Sequence, residues 1–220
     1  DTPRPGNAKF KKLTAIDPNS TNPYQLTEAD RTVIGNTTPK FSGGFGLNAT
    51  YKGFDMSMFF NFMYDFDVLN ANKIMLTTWA DNKENNFLMD IASDKRWRNF
   101  DDMGNEIRYS PAVLAEFNKN ATMWNPTSIG RPICMSYAVE DGSFLRLNSA
   151  TLGYTLPSVW TKKVGLSKVR FYVSGNNLFT LTGYSGYDPE VNIATGLTPN
   201  IDYNRYPRSR TYTFGAQLTF

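Results

Sequence analysis

The 220-residue sequence contains no histidine and a single cysteine, Cys134. A lone cysteine excludes an intramolecular disulfide framework and any zinc or iron–sulfur site built from several cysteines. The absence of histidine removes the commonest metal ligand and general base of enzymes. Carboxylate pairs such as Asp101–Asp102 have no base, nucleophile or metal ligand as a partner, so we expect a protein without enzymatic activity.

Long apolar runs and an excess of one charge are also missing. No apolar stretch approaches the roughly 18 residues of a membrane helix, and residues 1–5 do not read as a signal peptide. The 23 basic residues exceed the 20 acidic ones by three and never stand more than two in a row, whereas a nucleic-acid partner needs a clustered basic face. We therefore expect either a soluble chain or one that meets lipid through β-strands.

Aromatic residues make up 15% of the chain although its mean hydropathy is −0.43, a mixture typical of strands that alternate apolar and polar residues. Five stretches show that alternation and are predicted to be strands: residues 41–51, 54–64, 144–156, 168–180 and 210–220. Lys52-Gly53 predicts a tight hairpin turn that pairs Tyr51 with Phe54 and Phe45 with Phe60.

Glycines and a parity change add detail to the predicted sheet. The hairpin register sets Gly43 beside Phe62 and Gly46 beside Phe59, so that an aromatic residue covers each strand glycine. The apolar face of residues 144–156 changes parity near Asn148–Ser149, which predicts a β-bulge.

The predicted strands have the dimensions of a membrane wall. About eleven residues at ~3.3 Å each, tilted by ~40°, cover roughly 28 Å, close to the ~25 Å apolar band of an outer-membrane barrel. The second face carries small polar residues that suit a water-filled lumen, and short connections alternate with long ones. The sequence thus favours an all-β fold, a segment of a transmembrane antiparallel β-barrel, although a soluble sandwich would also alternate.

Several motifs resemble one known family, the SusC/RagA-like TonB-dependent outer-membrane transporters, in the C-terminal part of their barrel. They are DRTVIGNTTPKFSGGFG at 30–46, GSFLRLNSATLGYTLP at 142–157, VSGNNLFT at 173–180, GYDPEV at 186–191 and YPRSRTYTFG at 206–215. The resemblance implies a plugged 22-stranded barrel, of which this chain would supply about the last five strands, because about eight strands are the minimum for closure.

The resemblance also implies a function and a division of the chain. It implies import of oligosaccharides or oligopeptides across the bacterial outer membrane, with a SusD-like surface lipoprotein and with a TonB complex that contacts parts outside this chain. A soluble all-β carbohydrate-binding module and a pore of several copies stay open as alternatives. One barrel domain without its N-terminal plug would consist of an extracellular region 1–40, a hairpin 41–64, a long extracellular loop 65–143, a strand pair with a short periplasmic turn 144–180, an extracellular loop 181–209 and a terminal strand 210–220.

Three groups of residues are candidate sites. Loop aromatics offer flat apolar rings that could stack on a sugar: Trp79, Trp97, Tyr109, Trp124, Tyr184, Tyr187, Tyr203 and Tyr206. The last strand resembles the C-terminal assembly signal of outer-membrane barrels, through Tyr212, Phe214, Leu218 and Phe220. The spacing of Asp17, Asn19, Thr21 and Glu28 follows positions 1, 3, 5 and 12 of a calcium loop, the one cofactor that the sequence suggests, although a relic Asx turn explains the same residues.

Overall fold

The computed structural model describes residues 4–78, 86–91, 94–129, 133–191 and 199–220. It divides into two compact units, one of residues 1–34 with 70–138 and one of residues 35–69 with 139–220. The second unit contains a five-stranded antiparallel sheet in the order β1-β2-β5-β6-β8. These strands are β1 (Phe41–Tyr51), β2 (Phe54–Tyr64), β5 (Phe144–Thr155), β6 (Lys168–Thr182) and β8 (Thr211–Thr219).

The predicted hairpin register is confirmed. Tyr51 pairs with Phe54 and Phe45 pairs with Phe60. Lys52 and Gly53 both adopt positive φ, 46° and 90°, the conformation that a two-residue hairpin turn requires. Because the alternation of both strands and the turn length agree, only this register places apolar residues opposite one another.

The predicted bulge is also confirmed, and it lies level with two other irregularities. The β5–β6 register shifts between Leu147 and Ser149, the β2–β5 register shifts between Phe59 and Phe60, and Asn177 of β6 has a φ of 55°. The neighbouring pairs Phe59–Ser149 and Ser149–Asn176 place all three distortions at one height of the sheet. Bulges bend a strand and redirect its side chains.

The sheet presents an apolar face and a polar face. On the apolar face, aromatic rings contact one another, as between Phe45 and Phe60 of the adjacent strands β1 and β2, with centroids 4.9 Å apart, and between Phe60 of β2 and Phe179 of β6, across β5, at 6.5 Å. This face is open to the surroundings, and Phe214 is 80% exposed. An aromatic residue does cover a strand glycine, but the Phe59 ring lies over Gly44, where a Cβ would stand 2.8 Å from it, more closely than over its register partner Gly46.

A second, three-stranded sheet lies within the same unit in the order β4-β3-β7. Its strands are β3 (Asp67–Asn70), β4 (Val139–Asp141) and β7 (Ile201–Asp202). Its core contains Phe66, Val68, Phe144, Tyr184 and Val191. All three strands lie in the stretches predicted as loops, 65–143 and 181–209. Strands of two to four residues are too short to show a period-two alternation.

The first unit is built from short helices and turns. Its described residues form the α-helices α1 (Ala71–Met75) and α2 (Pro111–Phe117) and 3₁₀ turns at Glu28–Asp30, Met89–Ile91, Pro126–Ser128 and Ser136–Ala138. The Asp30 carboxylate accepts hydrogen bonds from the amides of Thr14 and Thr27, both 2.8 Å, and these bonds hold the pKa of Asp30 well below its usual range.

The connection between β5 and β6 in the second unit holds the helix α3 (Ser158–Thr161) and a 3₁₀ turn at Lys162–Val164. It is short, as the sequence predicts for this end of the sheet. Among the described residues, no helix is long and apolar enough to cross a membrane.

Candidate functional site

A buried arginine stands on the polar face, near the start of the middle strand β5. Arg146 of β5 lies next to the bulge and is only 1% exposed. Its Nη1 donates to Asn177 Oδ1 at 2.8 Å and to Asp188 Oδ2 at 3.3 Å, while its Nη2 donates to Asp188 Oδ1. The guanidinium also lies 5.4 Å from the ring centre of Phe144, within cation–π range. A buried charge is stable only when it is paired in this way.

The partner of Arg146 comes from the segment 184–191, which follows β6. The Asp188 carboxylate also accepts the Glu190 amide at 2.9 Å. Glu190 Oε2 lies 3.6 Å from Arg146 Nε, and Glu190 Oε1 lies 2.8 Å from Arg208 Nη2. The segment is thus bound to the polar face of the sheet by a network of two arginines and two acids.

The other end of this segment is fixed as well. Tyr184 is buried and donates its hydroxyl to Asp202 Oδ2 at 2.7 Å. The amide and hydroxyl of Ser185 donate to the two carboxylate oxygens of Glu140, at 3.0 and 2.9 Å. Gly186 packs directly on the Tyr184 ring, where a Cβ would overlap the ring atoms.

Burial and charge shift two pKa values in this network. Burial of the Asp188 carboxylate raises its pKa, but the hydrogen bonds from Arg146 and the Glu190 amide outweigh burial and hold the pKa below its usual range. Burial, together with the Asp202 carboxylate, raises the pKa of Tyr184. Asp188 therefore stays charged and Tyr184 stays protonated at neutral pH, which are the states that their hydrogen bonds need.

A recess of about 210 Å³ opens beside the network. Arg146 and Asp188 lie at its base, and Tyr187, Arg208 and Arg210 stand around it. The Tyr187 side chain is 84% exposed, although Asp188 beside it is 8% exposed. The recess thus combines an exposed aromatic ring with a positively charged rim.

A second arginine–aspartate pair crosses the polar face nearer the hairpin turn. Arg170 of β6 donates its Nε to Asp55 Oδ1 of β2 at 2.8 Å, and its Nη2 donates to Asp55 Oδ2. The pair passes over Gly153 of β5, where a Cβ would stand 2.6 Å from Arg170 Nε and from Asp55 Oδ1. Because β5 has no side chain at this position, strands that are not adjacent can be joined.

The predicted substrate-contact aromatics occupy different environments. Tyr187, Tyr203 and Tyr206 of the second unit are 84%, 50% and 88% exposed, and Tyr109 of the first unit is 83% exposed. Tyr184 is a core residue and is only 6% exposed. Trp79 lies outside the described residues. Substrate contact by these aromatics stays a prediction.

The two remaining predicted tryptophans take part in packing within the first unit. The Trp97 indole donates to Asn99 Oδ1 at 3.2 Å and covers Gly6. The Trp124 indole donates to the Thr77 carbonyl oxygen at 3.3 Å. Its ring meets Tyr137 edge to face, with centroids 4.9 Å apart. Both rings are half-buried.

The predicted assembly signal lies on the apolar face of the last strand. Tyr212, Phe214, Leu218 and Phe220 are 61%, 80%, 52% and 90% exposed, as expected of side chains that would face lipid. Recognition of these residues by an assembly machinery stays a prediction.

The predicted calcium ligands bind neighbouring residues of their own segment, and no contact joins these described residues around a common point. The Asp17 carboxylate accepts the Asn19 amide at 2.9 Å, which is an Asx turn, and Glu28 pairs with Arg31 at 2.9 Å. No group of three or more acidic, histidine or cysteine side chains suited to a metal occurs within the described ranges. Calcium binding by Asp17, Asn19, Thr21 and Glu28 stays a prediction.

Sequence reasoning missed the acidic half of the network. Asp188 and Glu190 stand in the GYDPEV motif, and Glu140 and Asp202 stand in short strands. The one available signal is the density of turn-forming and charged residues in 186–191, which marks a structured turn but names no partner. Arg146 lies 42 positions before Asp188 in the chain, so no local pattern joins them.

An open antiparallel sheet with an exposed apolar face and a polar inner face that binds its own loops defines a segment of an outer-membrane barrel wall. No protein-family model matches the chain. Over 202 residues, 89% of this chain, it is 35% identical to TonB-dependent receptor P3 of Formosa agariphila. It is 38% identical over 88 residues, 38% of this chain, to the TonB-dependent receptor SusC of Bacteroides thetaiotaomicron. The chain belongs to the SusC/RagA-like TonB-dependent receptors.

A solved structure shows the same fold. The RagAB peptide importer in its open-open state matches 89% of this chain with a TM-score of 0.66 and 25% identity. The chain spans 18% of the Formosa receptor, 8% of SusC and 19% of the importer chain. TonB-dependent receptors are outer-membrane proteins, so the chain is assigned to the bacterial outer membrane. These relatives are named as receptors or importers, which agrees with the expectation of a chain without enzymatic activity.

Proposed function

We propose that this chain forms part of the barrel wall and the extracellular loops of a TonB-dependent importer of oligosaccharides. The observation that carries the proposal is the contrast between the two faces of the sheet. The apolar face exposes aromatic rings such as Phe214, which suits lipid, whereas the polar face holds one buried and one partly buried ion pair and a bound loop, which suits a lumen.

Exposed tyrosines near the polar-face network support an oligosaccharide as the substrate. Tyr187 lines the recess, and Tyr203 and Tyr206 lie on the segment that leads into β8. A tyrosine ring offers an apolar face for a sugar ring and a hydroxyl for hydrogen bonds. Oligopeptides are the second candidate substrate, because the structurally similar RagAB is named a peptide importer.

The proposal includes two partners. A SusD-like lipoprotein would cover the extracellular side and deliver the oligomer, and a TonB complex would supply energy through parts of the protein outside this chain. Both partners are proposed from the similarity to SusC and to RagAB. Copurification of a lipoprotein with the tagged complete protein tests the first, and loss of uptake in a strain without TonB tests the second.

Uptake by a deletion strain tests the substrate. A strain that lacks the complete protein is expected to lose growth on an oligosaccharide mixture but not on oligopeptides, and the wild-type gene should restore growth. If the strain lost growth on oligopeptides alone, the proposed substrate would be a peptide and not a glycan. Unchanged growth and uptake with both substrates would refute import as the function.

Binding measurements on the purified complete protein test whether the exposed tyrosine rings contact the oligosaccharide. Calorimetry with the oligosaccharide that supports growth should show weaker binding for Tyr187→Ala and Tyr206→Ala. Tyr24→Ala is the matched control, because Tyr24 is 57% exposed but lies in the first unit and outside the recess. Equal affinity of all three variants and the wild type would refute stacking on these rings.

A further inference from the structure

The exposed ring of Tyr187 lies between two strongly anchored flanks. On one side, Tyr184 is buried against the core and Ser185 binds Glu140. On the other side, Asp188 binds Arg146, and Pro189 and Val191 are almost fully buried. The tip formed by Gly186 and Tyr187 lies between these anchors: Gly186 packs on the Tyr184 ring, whereas the Tyr187 side chain is 84% exposed.

An exposed aromatic residue on a fixed tip is suited to ligand binding. Ordering a mobile side chain or loop on binding opposes affinity, and a segment that is already ordered avoids that cost. Two anchors of the tip are strand residues outside the loop, Glu140 of β4 in the three-stranded sheet and Arg146 of β5 in the five-stranded sheet. The position of the ring is therefore set by strand residues.

Arg146 is the anchor next to the ring. It donates to both carboxylate oxygens of Asp188, the residue that follows Tyr187. It is 1% exposed and is held in place by Asn177 and by the Phe144 ring. Asn177 adopts positive φ at the level of the bulge, so the distortion of the sheet also helps to orient the guanidinium.

We infer that Arg146 is a positioning residue, which by binding Asp188 fixes the Gly186–Tyr187 tip and presents the Tyr187 ring to the incoming oligomer. The inference rests on the proposed function, because it names the ring that contacts the substrate and the wall residue that holds that ring. Arg146 itself lies at the base of the recess and acts through Asp188 and Tyr187.

A double-variant cycle on the purified complete protein tests the inference. Calorimetry with the oligosaccharide should show about tenfold weaker binding for Tyr187→Ala, the size of one aromatic contact. Asp188→Asn, which keeps the shape but removes the charge that holds Arg146, should weaken binding by a similar factor. If Arg146 and Asp188 act through the ring, Asp188→Asn should have no further effect in the Tyr187→Ala background.

Cleavage by chymotrypsin gives a readout that does not depend on a ligand. The enzyme cuts after tyrosine, and the Tyr187–Asp188 bond lies at the anchored tip. Asp188→Asn and Arg146→Met should both speed cleavage at this bond, whereas Arg146→Lys, which keeps the charge, should restore part of the protection. Heat-modifiable migration in gels checks that each variant is a folded barrel.

Asp55→Asn is the matched control, because it breaks the other arginine–aspartate pair of the same face, away from the recess. It should change neither the affinity nor the cleavage. Additive losses of affinity in the double variant Asp188→Asn/Tyr187→Ala, or unchanged cleavage in folded Asp188→Asn, would overturn the inference. In either case, binding of the oligosaccharide by the wild-type protein would still support the proposed function. A wild-type protein that binds no oligosaccharide would overturn the proposed function and the inference with it.

Discussion

Replacement of Gly142 by alanine should disturb the core beneath the small sheet. Gly142 is buried between β4 and β5, and its amide donates to the Phe66 carbonyl oxygen at 2.8 Å. A Cβ at this position would stand 2.5 Å from Phe66 Cε2 and 2.6 Å from Val68 Cγ2. Such distances are far inside van der Waals contact, so a neighbour must move.

The cost follows from how little room these neighbours have. Phe66 is 3% exposed and Val68 is fully buried, and the Phe66 ring meets Phe144 edge to face at 6.5 Å. Adding one carbon to a core of this kind costs about 1–3 kcal/mol. Because 1.4 kcal/mol is about tenfold in an equilibrium constant, local opening should become roughly 5 to 150 times more frequent.

Hydrogen exchange in the complete protein measures this opening. The amides of Gly142 and Leu69, which bind Phe66 and Asn200, should exchange faster in Gly142→Ala by that factor. Val68→Ala makes room for the new methyl group, so the double variant should lose less stability than the sum of the two single losses. Gly183→Ala is the control, because a Cβ there meets no atom within 4 Å. Exchange in Gly142→Ala no faster than in Gly183→Ala would refute the packing argument.

Two further outcomes are expected. Gly153→Ala should separate Arg170 from Asp55, because its Cβ would stand 2.6 Å from atoms of both side chains. The yield of heat-modifiable barrel should fall, and adding Arg170→Ala to Gly153→Ala should restore it. Equal yields of Gly153→Ala and wild type would contradict the close contact. The folded pKa of Asp188 lies below its unfolded value, so its contribution to stability is present at neutral pH and is lost only as the pH falls through the folded pKa, below the ordinary value of about 3.9. Hydrogen exchange at the Glu190 amide, followed from pH 8 downward and corrected for the intrinsic rate, should therefore stay slow to about pH 5. A loss of protection near pH 6 would show that Asp188 does not govern the tip.

The sheet could be predicted from the sequence because its rules are local. Period-two alternation fixes the face of each residue, and a two-residue turn with glycine fixes the register, so the pairing of Phe45 with Phe60 follows by counting. The bulge near Ser149 follows from a parity change for the same reason. The short strands β3, β4 and β7 could not be predicted, because they are held by the core around Phe66 and Val68 and not by their own patterns.

The ion pairs illustrate the limit of that reasoning in the site itself. Near the hairpin turn, Arg170 finds its partner Asp55 within the sheet, because Gly153 leaves a gap between their strands. Next to the bulge, Arg146 donates to the carboxylate of Asp188, which lies outside the sheet. Since a buried guanidinium without a carboxylate is strongly unfavourable, the wall at this height is complete only when the segment 184–191 is bound to it. The loop that carries Tyr187 is therefore part of the wall's own energetics, and the position of its exposed ring is set by strand residues that no ligand needs to touch.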